Sequence, residues 1–303
     1  MGLHIGQTYG QELADRFWAS SDGGGTNGTI IPWVDGGTSR YQQVYDAVIF
    51  GKLPKEGAFL SEIYLASACD SKGSWDVTNL QVNASTTARK PDGLSHIFSE
   101  NVGVDDFVVL SNQRPRGITT DGDCGSGAAF MAGVDSSFFY NPTNGNLLLD
   151  FRNIGSRYPR NPFFPDSPTF ESGKLNAAID QGDWSSRAYA SSVTATEAEL
   201  VDTVALFTEF IFVPIPKLRI WNNTNEIVLR WETHPREFRL QKTGSLKQGT
   251  VWQPYTGAID ENASWRTVSI PVASLKKPTF FRVVWNTPQK GVPSIQAVIE
   301  LQN

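Results

Sequence analysis

Aromatic side chains beside carboxylates are the residues of this chain best suited to contact a ligand. A flat indole or phenol ring packs on the apolar C–H face of a sugar, and polar neighbours hydrogen-bond to its rim. Four such rings lie in stretches rich in Gly, Asp, Ser or Pro: Trp33, Trp75, Tyr158 and Trp184. Rings in this setting more often cap the core of a β-sandwich. The pattern therefore leaves two interpretations, core capping and polysaccharide binding.

A second candidate site is the segment Asp121-Gly122-Asp123. Hard cations such as Ca²⁺ require several oxygen ligands, and two carboxylates in one turn supply some of them. The further ligands and the distant Glu of an EF-hand loop do not follow in register. The first interpretation is a solvated turn, and the alternative is a calcium site at Asp121 and Asp123. We expect no other cofactor.

The chain contains two cysteines, Cys69 and Cys124. They could close one disulfide, which would stabilise the fold by about 3–4 kcal/mol through loop entropy. Two buried thiols are the alternative. The three histidines share no ligand spacing with each other or with the cysteines, so the sequence does not predict a usual zinc site.

The sequence contains no convincing catalytic motif. Gly125-Ser126-Gly127 lacks the Gly-x-Ser-x-Gly pattern of a nucleophile elbow. Asp105 and Asp106 are neighbours, and neighbouring residues of a strand point to opposite faces of a sheet. We therefore name no catalytic residue and expect a binding protein rather than an enzyme.

The elements that must position these residues are short strands. Of the 303 residues, 12% are aromatic, and 27 Gly and 17 Pro supply turns, a composition typical of an all-β protein. Asp106–Leu110 and Leu147–Phe151 are nearly continuous apolar runs, which predict strands buried on both faces. Asn144-Gly145 is a strong turn signal because both residues tolerate positive φ. The sequence predicts a large, jelly-roll-like β-sandwich over residues 1–213.

A second, smaller domain follows the connector Pro214-Ile215-Pro216, whose prolines impose an extended backbone. About seven strand patterns follow, the number typical of an immunoglobulin-like or fibronectin-like β-sandwich, which we assign to residues 217–303. Ile227, Leu229 and Trp231 share one face of a strand. We expect the tryptophans of this half to lie mostly in its core: Trp221, Trp231, Trp252, Trp265 and Trp285.

Charge and hydropathy exclude two classes of partner. The net charge is −5, and no cluster of Lys and Arg offers the charge that nucleic acid binding needs. No apolar run approaches the ~18 residues of a membrane span. The first residues lack the pattern of a signal peptide, so we expect the chain to be the mature part of an exported protein.

Several segments resemble a family of secreted bacterial proteins that often carry a PEP-CTERM sorting signal or a short C-terminal β-domain. These segments are 40–45, 83–89, 91–94, 101–106 and 139–150 for the first domain, and Val228–Trp231, 240–242 and Trp252 for the second. The resemblance covers most of residues 30–213 and implies an extracellular or cell-surface protein. The chain lacks a Pro-Glu-Pro signal, so we do not expect anchoring by that route.

The leading hypothesis is a non-catalytic extracellular binding or adhesion protein whose ligand is a polysaccharide or cell-surface glycan. It rests on the fold class, the loop aromatics and the resemblance. One alternative is a structural subunit of an extracellular filament or surface layer, in which exposed sheet edges would allow self-association. The other is a carbohydrate-active enzyme with a pair of carboxylates.

Overall fold

A computed structural model gives the fold of the chain. It describes residues 15–19, 25–26, 37–66, 72–112, 116–121, 128–155, 171–172, 184–203, 205–223, 225–234, 238–274, 279–285, 289 and 295–301. The protein is all-β: every strand pair in the described parts is antiparallel, and the helices there are short 3₁₀ turns. None of these helices has the length and apolarity needed to cross a membrane.

The chain divides into two compact units. The larger contains Asp15–Val213 with Gln289–Gly291, and the smaller includes Pro214–Pro288 and Val292–Asn303. The division falls at the predicted connector. The larger unit departs from the predicted domain in two places, because it begins at Asp15 rather than at residue 1 and also takes in Gln289–Gly291.

The larger unit is built from two six-stranded sheets and a separate pair of short strands. Its strands are, in chain order, β1 Asp15–Ala19, β2 Gly25–Thr26, β3 Ser39–Tyr45, β4 Ala58–Ala66, β5 Lys72–Val77, β6 Leu80–Thr87, β7 Phe107–Leu110, β8 Arg116–Asp121, β9 Ala128–Tyr140, β10 Asn146–Asn153, β11 Glu171–Ser172, β12 Ser185–Ala190, β13 Leu200–Asp202 and β14 Thr208–Pro214. Short 3₁₀ helices span Ala47–Phe50, Phe98–Glu100 and Pro142–Asn144.

The order of the strands is that of a jelly roll. The first sheet reads β1-β14-β4-β9-β8-β5 and the second reads β13-β12-β3-β10-β6-β7. If β1, β3, β4, β6, β7, β9, β10 and β14 are numbered one to eight, the sheets contain the orders 1-8-3-6 and 2-7-4-5. This is the double Greek key of a jelly roll. Strands β8 and β5 extend the first sheet, and β12 and β13 extend the second.

The main core lies between these two sheets, because each sheet contributes its inward side chains to one apolar cluster. Phe210 and Phe212 of β14 pack edge-to-face against Phe50, with ring centres 5.4 and 5.5 Å apart. Aromatic pairs at this distance and angle are favourable beyond the area they bury. Tyr45 adds a further edge-to-face contact with Phe210, at 4.7 Å.

Strand β4 departs from simple alternation at a β-bulge. Its register with β9 shifts between Leu60 and Glu62, so that Leu60 and Ile63 both point into the main core. A bulge inserts residues into one strand and changes which side chains face the core. Phe59 lies on the other face and is buried against Phe139, with ring centres 5.3 Å apart.

The back of the second sheet is also covered. Residues 91–106 and 191–199, together the covering layer, pack apolar side chains on Val44, Leu148 and Ala188. Phe98 is completely buried in this second cluster. Its backbone N–H donates to the carbonyl of Thr196 at 3.1 Å, which joins the two segments of the layer. The second sheet is therefore packed on both sides at β3, β10 and β12.

Ion pairs and amides bind the covering layer and the strands together. Asp150 of β10 is 1% exposed and accepts hydrogen bonds from the guanidinium groups of Arg40 and Arg152, at 2.7 and 3.0 Å for the closest atoms. The Arg40 guanidinium also lies 4.6 Å from the centre of the Phe98 ring. Asn101 donates from its side-chain amide to Gln42 at 2.9 Å.

Three tyrosines are buried within the main core and have their hydroxyls satisfied. Tyr41 donates to Gln43, Tyr140 donates to the carbonyl of Gly145, and Tyr45 shares a 2.9 Å hydrogen bond with Thr208. Burial raises the pKa of all three phenols, because removal from water disfavours the charged phenolate.

The smaller unit is an immunoglobulin-like sandwich. Its strands are β15 Arg219–Asn223, β16 Glu226–Glu232, β17 Arg239–Thr243, β18 Gln253–Pro254, β19 Asp260–Glu261, β20 Trp265–Pro271, β21 Thr279–Trp285 and β22 Ile295–Leu301, with a 3₁₀ turn at Val272–Ser274. The sheets read β15-β16-β20-β19 and β18-β17-β21-β22. When the eight strands are lettered A, B, C, C′, D, E, F and G in chain order, the two sheets are the ABED sheet and a C′CFG sheet of the immunoglobulin fold.

Candidate functional site

The predicted aromatic site lies mostly outside the described residues. Trp33 and Tyr158 fall there, so their part in a site stays a prediction. Trp75, predicted to lie in a loop, belongs instead to β5 at the end of the first sheet, where its Cα pairs with that of Ile118. Trp184 directly precedes β12 of the second sheet. The structure therefore places Trp75 in the first sheet and Trp184 just before a strand of the second.

Trp184 is half-buried. Its carbonyl accepts a hydrogen bond from the backbone N–H of Asp46 at 2.9 Å, while its indole Nε1 is buried without a hydrogen-bond partner. The buried Nε1 is compatible with the capping interpretation, which stays a prediction. The described residues give no ligand-facing geometry for this ring.

The calcium and disulfide predictions also remain predictions. Asp121 is the last residue of β8 rather than part of a turn, and Asp123, Cys69 and Cys124 lie outside the described residues. Within the described ranges, no group of three His, Cys, Asp or Glu side chains could hold a metal ion.

The tryptophans of the smaller unit do not all lie in its core, which corrects part of the sequence prediction. Trp231 and Trp285 are buried, but Trp221 is 44% exposed and Trp252 and Trp265 are half-buried. The last three lie beside arginines: the Arg282 guanidinium lies 4.4 Å from the Trp252 ring centre, and that of Arg230 lies 3.9 Å from Trp265. Cation–π contacts of this kind let a tryptophan remain at a solvated surface.

The described residues form a cleft of about 620 Å³ in the smaller unit. It is lined from both sheets, where the end of β20 meets β17, β18 and the start of β21. We call it the terminal cleft. Its described lining residues are Lys242, Thr243, Gly244, Val251, Gln253, Tyr255, Thr256, Gly257, Ile270, Pro271, Ser274, Thr279 and Phe281. A volume of this size lies within the range of small-ligand sites.

Tyr255 supplies the aromatic surface of the terminal cleft. Its ring stands 6.4 Å from the buried Phe281 ring, at an angle of 63°, and its backbone N–H donates to the carbonyl of Leu240 at 2.9 Å. The ring passes directly over Gly257, where a Cβ would lie 2.3 Å from the Tyr255 hydroxyl. Glycine at this position therefore leaves the space that the ring occupies. Burial raises the pKa of the phenol, so it stays a neutral hydrogen-bond donor at physiological pH.

The other lining groups are hydrogen-bonding or cationic. The Lys242 ammonium lies 5.9 Å from the Tyr255 ring centre. Gln253 and Thr256 are exposed, and Ser274 is exposed with its hydroxyl donating to the carbonyl of Pro271 at 2.6 Å. The described part of the lining contains no carboxylate, histidine or cysteine. What this lining offers a ligand is an aromatic face, a positive charge and polar groups.

Sequence reasoning missed the terminal cleft, because its residues form no motif. Lys242 and Tyr255 lie apart in the chain, on either side of residues 243–254, and share no recognised spacing. The one local signal is the glycine at position 257, two residues after the tyrosine. Glycine is common in turns of every kind, so this signal could not have identified the site.

Comparison with known proteins adds no family to these observations. No protein-family model, no curated protein sequence and no solved structure matches this chain. The candidate site therefore rests on its own geometry.

Proposed function

We propose that this protein binds polysaccharide outside the cell without modifying it, and that the terminal cleft is a saccharide-binding site. The observation that carries the proposal is the combination in one open cleft of the Tyr255 ring, the Lys242 ammonium and several hydroxyl and amide groups. A pyranose ring has an apolar face and a polar rim, so it needs both kinds of contact.

Two further features support this function. Jelly-roll sandwiches are used by lectins, and immunoglobulin-like sandwiches are common in cell-surface proteins. These are analogies of fold, and the site must carry the argument. The extracellular location rests on the resemblance of residues 30–213 to secreted proteins. The described lining offers an aromatic ring, a cation and hydroxyl and amide groups, and these contacts support binding as the proposed function.

The test is binding of the full chain to a panel of neutral polysaccharides, measured by affinity electrophoresis and then by calorimetry on soluble oligosaccharides. We expect Tyr255→Ala to weaken binding about tenfold, since one aromatic stacking contact contributes roughly 1 kcal/mol or more. Leu246→Ala is the matched control, because Leu246 is 53% exposed in the same half of the unit and does not line the cleft.

A second variant tests whether the position of the Tyr255 ring matters, and not only its presence. Gly257→Ala keeps Tyr255 but places a methyl group in the space of its hydroxyl, so the ring must move. We expect weakened binding with a thermal stability close to that of the unchanged protein, because the residue is exposed. Failure of the unchanged protein to bind any polysaccharide of the panel, or equal binding by a folded Tyr255→Ala variant, would contradict the proposal.

A further inference from the structure

The outer face of the ABED sheet in the smaller unit carries a second, separate group of aromatic and cationic side chains. Ile227, Leu229 and Trp231 of β16 point inward and are buried, so Arg230, between the last two, points outward. Trp221 comes from β15 and Trp265 from the start of β20, the two neighbours of β16. We call Trp221, Arg230 and Trp265 the tryptophan–arginine face.

The guanidinium of Arg230 is held against indole rings. It lies 3.9 Å from the ring centre of Trp265 and 6.0 Å from that of Trp221. A planar guanidinium stacked on an aromatic ring has lost conformational freedom before any ligand binds. Its N–H edges then stay directed along the sheet surface. Trp265 therefore positions Arg230, while Trp221 leaves 44% of its surface to solvent.

Among the residues that the structure describes, no carboxylate pairs with Arg230. Arg219, which also stands over Trp265 at 5.1 Å, is paired with Glu232 at 3.1 Å. Glu232 accepts a second hydrogen bond from the backbone N–H of Lys217 at 2.9 Å. The Nε of Arg230 is buried, so a group from outside would meet the terminal nitrogens of its guanidinium. One guanidinium of this face is thus available to an anionic group from outside.

We propose that the tryptophan–arginine face binds an acidic polysaccharide. The exposed Trp221 ring receives the apolar face of a sugar, and Arg230 binds the carboxylate or sulfate that the sugar carries. Arginine suits such groups because its planar fork donates two parallel hydrogen bonds. A nucleic acid is the poorer fit, since its affinity depends on many clustered cations, whereas the described part of this face offers one unpaired guanidinium. The face shares no residue with the terminal cleft.

The test is equilibrium binding of the full chain to polygalacturonate and to a sulfated polysaccharide, with neutral polysaccharides beside them. We expect the unchanged protein to bind the acidic polymers, more weakly as salt rises, because the contact is charged. Arg230→Gln should reduce this affinity at least tenfold, and Trp221→Ala to a similar extent. Arg230→Lys keeps a cation but loses the planar fork of donors, so its affinity should lie between that of Arg230→Gln and that of the unchanged protein.

Control measurements separate binding from folding. Lys247→Gln removes an exposed cation elsewhere in the unit and should leave the affinity unchanged. Circular dichroism of each variant shows whether the sandwich is retained. The proposal is overturned if the unchanged protein binds neither acidic polymer, if a folded Arg230→Gln variant binds as before, or if single-stranded DNA binds as tightly as the polysaccharides. Loss of neutral-polysaccharide binding in Tyr255→Ala reports on the terminal cleft alone. The proposal for the terminal cleft and the proposal for the tryptophan–arginine face can therefore fail independently.

Discussion

Asp150 shows how one residue can hold a surface of this protein together. Its carboxylate is buried on the back of the second sheet and receives hydrogen bonds from Arg40 on β3 and Arg152 on its own strand. Arg40 then stacks on Phe98 of the covering layer. A single anion thus positions two cations, one of which contacts the layer above. Breaking a buried ion pair leaves an uncompensated charge, which costs more than the pair contributes.

We predict that Asp150→Asn lowers the free energy of unfolding of the larger unit by about 3 kcal/mol, because two guanidinium groups lose their counter-charge. Chemical denaturation measures the change. Glu100→Gln is the control: the Arg89–Glu100 pair has side chains 38% and 48% exposed, and pairs of that kind contribute about 0–1 kcal/mol. Equal shifts for the two variants would show that Asp150 is not structurally important.

At the scale of the elements, the covering layer behaves as part of the core although it contains little regular structure. Gly103 illustrates how closely it approaches the sheet: a Cβ there would lie 1.9 Å from the Thr86 carbonyl oxygen. The backbone N–H of Gly103 donates to the Ser85 hydroxyl at 3.1 Å, and Asp105 accepts from the Thr86 N–H at 2.7 Å. Segments 83–89, 91–94 and 101–106, which carried the resemblance, meet here.

The layer's packing gives a prediction for Phe98. Phe98→Ala should lower the free energy of unfolding by about 3–5 kcal/mol, because it leaves a cavity in a fully buried site and removes the ring under Arg40. Its neighbour Ile97 is 40% exposed, so Ile97→Ala should cost less than about 1 kcal/mol. Thermal or urea unfolding compares the two, and a small effect of Phe98→Ala would mean that the layer is only loosely held.

How far the sequence predicted these elements depended on how clear their apolar pattern was. Ala58–Ala66 and Thr279–Trp285 are dense in apolar residues, the pattern that predicts a strand, and both are strands in the structure. The β19 strand, Asp260–Glu261, has no apolar residue and no pattern. The run Asp106–Leu110 was expected to be buried on both faces, yet Val108 is 39% exposed, because the covering layer reaches β3, β10 and β12 but not β7.

At the scale of the whole molecule, the all-β class followed from composition, whereas strand order depended on contacts far apart in the chain. Strand β1 pairs with β14, and β3 pairs with both β10 and β12. No local pattern encodes such pairing. The site was harder still: alternation in β16 showed which of its residues share a face, but not that an outward arginine of that strand holds Trp265 at the surface.

The three buried tyrosines predict how the larger unit responds to alkaline pH. Their pKa values are higher in the folded state than the unfolded value of about 10. Their contribution to stability is therefore complete below pH ~10 and is lost as pH rises above it, at about 1.4 kcal/mol per pH unit for each tyrosine. We expect the melting temperature to fall steeply above pH ~10, with tyrosinate absorbance appearing together with unfolding.

Tyr45→Phe serves as the comparison for this pH dependence. It removes one titrating hydroxyl and its hydrogen bond to Thr208. The variant should start from a lower stability at pH 8 but lose less of it by pH 11. If stability fell with pH as steeply in the variant as in the unchanged protein, Tyr45 would not contribute to the alkaline transition.

The covering layer has a consequence for anyone who would use this protein as an engineering scaffold. Residues 91–106 resemble a surface connector in sequence, and a library designer would be inclined to randomise them. Because the layer forms a wall of the second sheet, most of that library would fail to fold. Residues 245–250, a mostly exposed connection between β17 and β18, are the better place to graft new recognition sequences.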